Sequence, residues 1–239
     1  MNPLRVGTLV FPYQAIDTVG PLDVLSSGSK QVSEFLRVYG PVDEVAAKKA
    51  PEVEFHHIGL SKEPVPLTAG FLVVPTATIE DAPELDILLI GGPVPETFEL
   101  DPKYAQYIRE HVAAGKLLFT NCTGAFVAAS AGVLDGKRAT INNVEFEWVR
   151  KRFPAVNWTK ETKWVVDGNI WTAAGAVAGM DMVAHWLKEQ YGPDVHRLST
   201  MGLDFEPRDT YGVLNVLPKR YDPAGRQLFT HEFFYFDSY

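Results

Sequence analysis

A chain of 239 residues with 46% hydrophobic and 22% charged residues can bury a substantial core, and this composition excludes a globally disordered protein. The formal net charge of −8 argues against a nucleic-acid backbone or an anionic membrane as the main partner, since both require clustered Lys and Arg. One cysteine cannot form an internal disulfide or a Cys-based zinc site, the first residues have no secretory signal pattern, and no apolar run approaches the ~20 residues that cross a bilayer. We therefore expect a soluble, cytoplasmic protein.

The first half of the chain alternates buried strands with helical patterns. The segment "LRVGTLVF" is typical of a buried strand, and "DTVGPLDVLSSG" predicts a helix with Asp17 as its N-cap. The next two apolar runs, "VEFHHIGL" and "FLVVPTATI", are strand-like and could form a hairpin pair. The run "LDILLIGG" predicts a buried strand that Gly91 and Gly92 close, and "DPKYAQYIREHVAAG" predicts a helix capped by Asp101.

The second half continues this alternation up to a long amphipathic helix. In chain order we predict a strand "KLLFTN", a helix "TGAFVAASAGVLDG", a strand "RATIN", a helix "NVEFEWVRKRF", a hairpin "WVVDGNIWTAAG" and a helix "AVAGMDMVAHWLKEQYG". Such alternation indicates a mostly parallel sheet with helices on both faces, in one domain over residues 1–239. The aromatic-rich segment 207–239 is irregular, and an edge strand, a dimer contact and a pocket cover all remain open for it.

Three chemically capable segments follow three predicted strands. Cys122 follows "KLLFTN", Gly91 and Gly92 follow "LDILLI", and Asp17 follows the first strand after a short connection. Open α/β sheets bind ligands at the carboxyl ends of their strands, so these residues are expected to meet there. A cysteine between a strand and a helix resembles the nucleophile elbow, although Gly124 alone matches the flanking glycines of that motif. From the residues alone, a buried apolar cysteine, a helix-capping Asp17 and a simple glycine turn remain equally open.

The order of four segments resembles the DJ-1/PfpI family. These segments are "DTVGPLDVL", "LDILLIGGP", "NCTGAFVAASAGVLDGKRAT" and "WTAAGAVAGMDMVAHWL", and the match spans residues 4–192. The resemblance implies a flavodoxin-like three-layer α/β sandwich, related to class I glutamine amidotransferases, that is usually a homodimer and needs no organic cofactor or metal. The sequence is most similar to the isonitrile hydratase-like branch, which pairs the cysteine with an Asp in the segment occupied here by Asp17.

The sequence departs from many members of the family at one catalytic position. Those members carry a His about twenty residues after the cysteine, whereas this chain has Asn142 and Asn143 in that segment. The six histidines lie elsewhere, at His56, His57, His111, His185, His196 and His231. His231, in the aromatic segment, is the one that could fold back to reach the site.

The loss of that His favours chemistry that needs no protonated leaving amine. An isocyanide fits, because the Cys122 thiolate can attack its terminal carbon while Asp17, with a pKa raised by burial, gives or relays a proton. We expect Cys122, Asp17 and Thr123 to act catalytically. We expect Gly91, Gly92 and Asn143 to line the site, with backbone N–H groups near Gly92 and Thr123 stabilising charge.

Two other functions remain open at this stage. A glyoxalase or deglycase-like enzyme acting on methylglyoxal would share the thiol but would require a His as a proton shuttle. A redox-responsive or chaperone-like protein would instead use Cys122 as an oxidisable group, passing to the sulfinate. The two enzymatic hypotheses predict a small-molecule substrate, whereas the third is not enzymatic.

Overall fold

The computed structural model describes residues 2–213, which fold into eleven strands and eight α-helices. The strands are β1 (Leu4–Leu9), β2 (Val53–Gly59), β3 (Val65–Pro66), β4 (Leu72–Val73), β5 (Ala77–Thr78), β6 (Ile87–Ile90), β7 (Leu117–Asn121), β8 (Arg138–Ala139), β9 (Asn157–Trp158), β10 (Trp164–Asp167) and β11 (Ile170–Ala173). The helices are α1 (Ile16–Ser27), α2 (Lys30–Leu36), α3 (Glu44–Lys49), α4 (Pro102–Ala113), α5 (Gly124–Ser130), α6 (Phe146–Arg152), α7 (Ala176–Tyr191) and α8 (Pro193–Gly202).

Seven of the strands form one central sheet in the order β10-β11-β7-β6-β1-β2-β5. All neighbours in this sheet are parallel except the edge pair β10 and β11, which is the hairpin predicted around Asp167 and Gly168. The chain runs from β1 to β2 on one side and returns to β6 on the other. The direction of winding therefore changes between β1 and β6, which is the position where open α/β sheets form a ligand crevice.

The central strands are buried on both faces, and two separate cores result. In β6, Leu88 and Ile90 point into a core that includes Ile108 of α4, while Ile87 and Leu89 point into a core that includes Met182 of α7. This alternation follows from the two-residue period of a strand. Full burial of each such side chain contributes about 1.5–3 kcal/mol, so the continuous apolar run makes this strand the centre of both cores. The three-layer α/β sandwich expected from the sequence is confirmed.

Two predictions about secondary structure are wrong. The strand-like pair after residue 52 does not form a hairpin, because β2 pairs in parallel with both β1 and β5, and β4 instead pairs with β3 in a separate small sheet. Asp17 is not the N-cap of α1, because Ala15 occupies that position. Of the segment 207–239, residues 207–213 are described, and the aromatic residues beyond them and His231 lie outside the described part.

The first residues of that segment are fixed to the rest of the molecule. Arg208 forms an ion pair with the fully buried Asp181 of α7, with its Nη2 2.6 Å from Oδ2, and its backbone N–H donates to Oδ1 at 2.9 Å. Two residues later, the carbonyl oxygen of Thr210 accepts from Lys163 N at 2.7 Å, beside the edge strand β10. Among the described residues, no helix combines the length and the apolar character needed to cross a membrane.

Candidate active site

Cys122 lies in a strained turn between strand β7 and helix α5. Its backbone φ is +55°, a left-handed conformation that costs a non-glycine residue roughly 1–2 kcal/mol. The turn is held by a hydrogen bond from Cys122 N to the Ala173 carbonyl oxygen at 3.1 Å. It is also held by tight packing, since a Cβ on Gly124 would lie 2.3 Å from the Ile90 carbonyl oxygen. Strain of this kind clusters at functional sites, and this geometry is that of a nucleophile elbow.

The thiol of Cys122 is buried and receives two hydrogen bonds. Its residue is 7% exposed, the Asn142 side-chain amide lies 3.1 Å from Sγ, and the Thr123 backbone N–H also points to the sulfur. Burial raises the pKa of Cys122, the Asp17 charge raises it further, and the two donors only partly oppose these effects. The sulfur therefore carries its proton near neutral pH, and attack on an electrophile requires a group that accepts it.

Asp17 is a buried acid on the first turn of α1. Its carboxylate Oδ2 accepts a hydrogen bond from Gly92 N at 2.8 Å, whereas Oδ1 is buried without a hydrogen-bond partner. Burial raises the pKa of Asp17 to about 7, and the Gly92 N–H works in the opposite direction. Both protonation states are thus available near neutral pH, which suits a general acid and base.

A proline in the second turn of α1 explains how Asp17 is fixed relative to Cys122. Pro21 has no backbone N–H, so the carbonyl oxygen of Asp17, four residues earlier, has no helical donor. Asn121, adjacent to the thiol, donates its side-chain amide to that oxygen at 2.5 Å. Gly179 permits this contact, because a Cβ there would lie 2.2 Å from the Asn121 amide. Asn121 therefore links Asp17 to the turn that carries Cys122.

Gly91 and Gly92 are required for the close approach of the three site segments. A Cβ on Gly92 would lie 2.3 Å from Thr123 Oγ1 and 2.9 Å from Asp17 Oδ2, so these two groups flank one glycine. A Cβ on Gly91 would lie 3.0 Å from Tyr13 Cδ2. The Gly92 N–H, expected as a donor to developing charge, is instead committed to Asp17. The Thr123 hydroxyl donates to the Pro93 carbonyl oxygen at 2.6 Å rather than holding the thiol.

Of the two neighbouring asparagines, the one that meets the sulfur is Asn142, and Asn143 is exposed. The side-chain oxygen of Asn142 accepts from Val144 N at 2.9 Å, and this turn directs its amide nitrogen at the thiol. The residue that contacts the thiol therefore lies one position before the predicted Asn143. Asn142 is twenty residues from Cys122, and this spacing was the available signal, because it is close to the one that the family resemblance gives for a His.

The side chains of three of the described histidines have partners away from the thiol. His57 Nδ1 lies 2.8 Å from Thr8 Oγ1, and His111 Nε2 lies 2.8 Å from the Leu117 carbonyl oxygen. His185 pairs with Glu189 at 3.1 Å, on the partly exposed face of α7. Within residues 2–213, no histidine hydrogen-bonds the thiol, and no group of three His, Cys, Asp or Glu side chains is arranged to hold a metal ion.

Comparison with known proteins agrees with the fold. The family model described as the DJ-1/PfpI family matches residues 13–189. Isonitrile hydratase from Pseudomonas putida is 30% identical over 208 residues, which make up 85% of this chain and 79% of that protein.

Regulatory proteins also contain a related region. The HTH-type transcriptional regulator GbdR from Pseudomonas aeruginosa is 25% identical over 141 residues, which make up 59% of this chain and 38% of the regulator. Among solved structures, a THiJ/PfpI family protein from Pseudomonas syringae has a TM-score of 0.69 at 23% identity, covering 87% of this chain and 77% of that chain. This last likeness concerns the fold alone.

Proposed function

We propose that this chain, which belongs to the DJ-1/PfpI family, is a cysteine-dependent hydro-lyase that converts an isocyanide into an N-substituted formamide without a cofactor. The observation that carries the proposal is the buried Cys122 thiol with an amide, Asn142, where a histidine would serve hydrolysis, and with Asp17 as the acid beside it. The name of the Pseudomonas putida relative, isonitrile hydratase, supports the same reaction class.

In this reaction Asp17 relays one proton from the sulfur to the isocyanide carbon. The sulfur of Cys122 bonds to the terminal isocyanide carbon, and the proton that leaves sulfur passes through the Asp17 carboxyl to that carbon. The product is a thioimidate on the enzyme. Water then adds to its carbon, nitrogen gains a proton, and cleavage of the carbon–sulfur bond releases the formamide and restores the thiol. Asp17 Oδ1 is suited to the relay because it is buried and has no partner within the described protein.

The direct test is turnover of a simple isocyanide, such as cyclohexyl isocyanide, with the formamide measured by chromatography. Cys122→Ala should abolish turnover, and Asp17→Asn should lower kcat by about 10²–10⁴-fold, the usual range for a general acid or base. Asp23→Asn is the matched control, because Asp23 is an exposed carboxylate on the same helix. Absence of turnover by the unmodified protein, or full turnover by Cys122→Ala, would refute the proposal.

A sensing role without turnover is the second candidate. It is favoured by the relatedness to regulators such as GbdR and by a single buried thiol that two donors hold in place. Oxidation of Cys122 to the sulfinate by mild peroxide, seen by intact-protein mass spectrometry in a protein that turns over no isocyanide, would favour this role. The glyoxalase-like alternative has less support, because an amide cannot shuttle a proton as an imidazole does.

We further propose that the protein is a homodimer located in the cytoplasm. Exposed apolar side chains on α1 and on the β3–β4 hairpin, among them Ile16, Val19, Phe71 and Leu72, would supply a surface for a second copy, as the family implies. The two elements adjoin, since Ala15 N donates to Thr68 Oγ1 at 2.9 Å. A reducing cytoplasmic location would keep Cys122 in the thiol form that the reaction uses.

A further inference from the structure

A second carboxylate with a buried, unpartnered oxygen lies in the segment that carries Asn142. Glu145 follows Asn142 by three residues and occupies the N-cap position of α6, with the Val149 N–H bound to its carbonyl oxygen at 2.9 Å. Its side chain is half-buried, and its Oε2 is buried without a hydrogen-bond partner. Asn142, three residues earlier, lies 3.1 Å from Cys122 Sγ, so the turn that carries Glu145 borders the thiol, and the charge of Glu145 adds to the raised pKa of Cys122.

The position of Glu145 is fixed by its neighbours. Asn142 is anchored at both ends, by its amide to Cys122 Sγ and by its oxygen to Val144 N, so the turn before Glu145 has a defined shape. Phe146, the next residue, is buried, and the Lys160 ammonium lies over its ring, 4.2 Å from the ring centroid. The backbone on both sides of Glu145 is therefore held, and its carboxylate has few directions available.

The second half of the proposed reaction needs an acid and a base at the same time. When water attacks the thioimidate carbon, water must lose a proton while nitrogen must gain one. Asp17 has one oxygen bound to Gly92 N, which leaves Oδ1 as its working oxygen, and the Asn142 amide cannot accept a proton on nitrogen. Asp17 alone would have to make these two transfers one after the other, whereas a second carboxylate that takes the proton of water lets both occur in one step.

We propose that Glu145 is the general base that activates the hydrolytic water, whereas Asp17 is the acid that protonates nitrogen. This inference rests on the proposed function and deepens it. Glu145 takes a proton from water as the new carbon–oxygen bond forms, the C=N π electrons move to nitrogen, and Asp17 protonates that nitrogen. The hydroxyl proton then returns to Asp17 as C=O forms and the carbon–sulfur bond breaks, and Glu145 gives its proton to the departing sulfur. The net reaction is addition of one water to the isocyanide, and both acids are restored.

The test separates addition from hydrolysis with the full-length protein and cyclohexyl isocyanide. For Glu145→Gln, we expect the Cys122 adduct to form at nearly the normal rate and to accumulate, as intact-protein mass spectrometry after rapid acid quenching would show. Formamide release should fall by about 10²–10⁴-fold, the range for loss of a general base. Glu145→Asp, which keeps a carboxylate, should recover part of the release and remains informative if Glu145→Gln folds poorly.

Glu147→Gln is the matched control. Glu147 lies on the same helix, is exposed, and pairs with Arg150 at 2.9 Å, so its loss should leave both steps unchanged. Normal formamide release by Glu145→Gln would overturn the inference, as would an equal loss of addition and release without an accumulated adduct. Neither outcome contradicts the proposed function. That function is tested by the unmodified protein, and it fails if this protein releases no formamide or if Cys122→Ala keeps full turnover.

Discussion

The Asp17→Asn substitution should stabilise the folded protein at the same time as it removes activity. Asp17 is fully buried, and its pKa of about 7 in the folded state lies about three units above the ~3.9 of an unfolded aspartate. At about 1.36 kcal/mol per unit, keeping this carboxylate ionised in the fold costs roughly 4 kcal/mol. The cause is burial, because only Oδ2 has a hydrogen-bond donor to compensate for the lost water.

The sign of the pH dependence follows from proton linkage. Between about pH 4 and pH 7 the folded state binds the Asp17 proton and the unfolded state does not, so the contribution of Asp17 to stability falls as the pH rises through this range. Above pH 7 the cost is complete and constant. Asparagine carries no charge and can still accept from Gly92 N, so the gain in Asp17→Asn should be small below pH 4, intermediate at pH 5 and up to roughly 4 kcal/mol at pH 8.

Urea unfolding at pH 5 and pH 8 measures this effect. A buried asparagine NH₂ without a partner would cost about 1–3 kcal/mol, but this cost would be the same at both pH values. The decisive quantity is therefore how much the stability difference between Asp17→Asn and the unmodified protein changes from pH 5 to pH 8. Asp23→Asn, at an exposed position of the same helix, should show no such change. A stability difference between Asp17→Asn and the unmodified protein that is the same at pH 5 and pH 8 would refute the reasoning.

Two further predictions concern polar contacts that cross between elements. Asn142→Ala removes a donor to the sulfur and should raise the pKa of Cys122, so the midpoint of iodoacetamide labelling against pH should move upward. The exposed Asn143→Ala should leave this midpoint unchanged, and an unmoved midpoint in Asn142→Ala would contradict the assigned contact. Arg208→Ala removes the guanidinium from the buried Asp181, which keeps only the backbone N–H of residue 208, and should lower the free energy of unfolding by about 3–5 kcal/mol, measured in urea. The exposed pair broken in Arg150→Ala should cost under about 1 kcal/mol, and similar losses in both variants would contradict the prediction.

Much of the sandwich and the position of the nucleophile could be predicted from the sequence. Continuous apolar runs such as that around Leu88 occur mainly in parallel strands buried on both faces, and the small residues after Cys122 are typical of a helix that packs closely on a sheet. The hairpin prediction for β2 and β5 was wrong because the sequences of short apolar strands look alike in parallel and antiparallel pairs. Their pairing depends on the connection between them, which carries no comparable periodic signal.

The sequence could predict which segments meet at the site, because the order of strands and helices determines this, but it could not predict the individual contacts. Asp17 was expected near Cys122 for the right reason, the shared edge of the sheet, yet its assignment as a helix cap was wrong because a cap is defined by a backbone hydrogen-bond pattern that one residue type does not fix. The choice between Asn142 and Asn143 depends on a turn closed by Val144 N. The contact between Asn121 and the Asp17 carbonyl joins residues 104 positions apart, and a single sequence carries no local pattern for such a pair.

The arrangement of carboxylates around the buried thiol also acts as a charge filter for incoming reagents. Asp17 and Glu145 both raise the pKa of Cys122, so an anion that approached the sulfur would meet the same negative potential and would lose hydration beside a buried thiol. A neutral, compact electrophile meets neither obstacle. Uncharged covalent probes are therefore the appropriate tools for labelling this cysteine, and their selectivity would come from the electrostatics of the pocket rather than from a reactive thiolate.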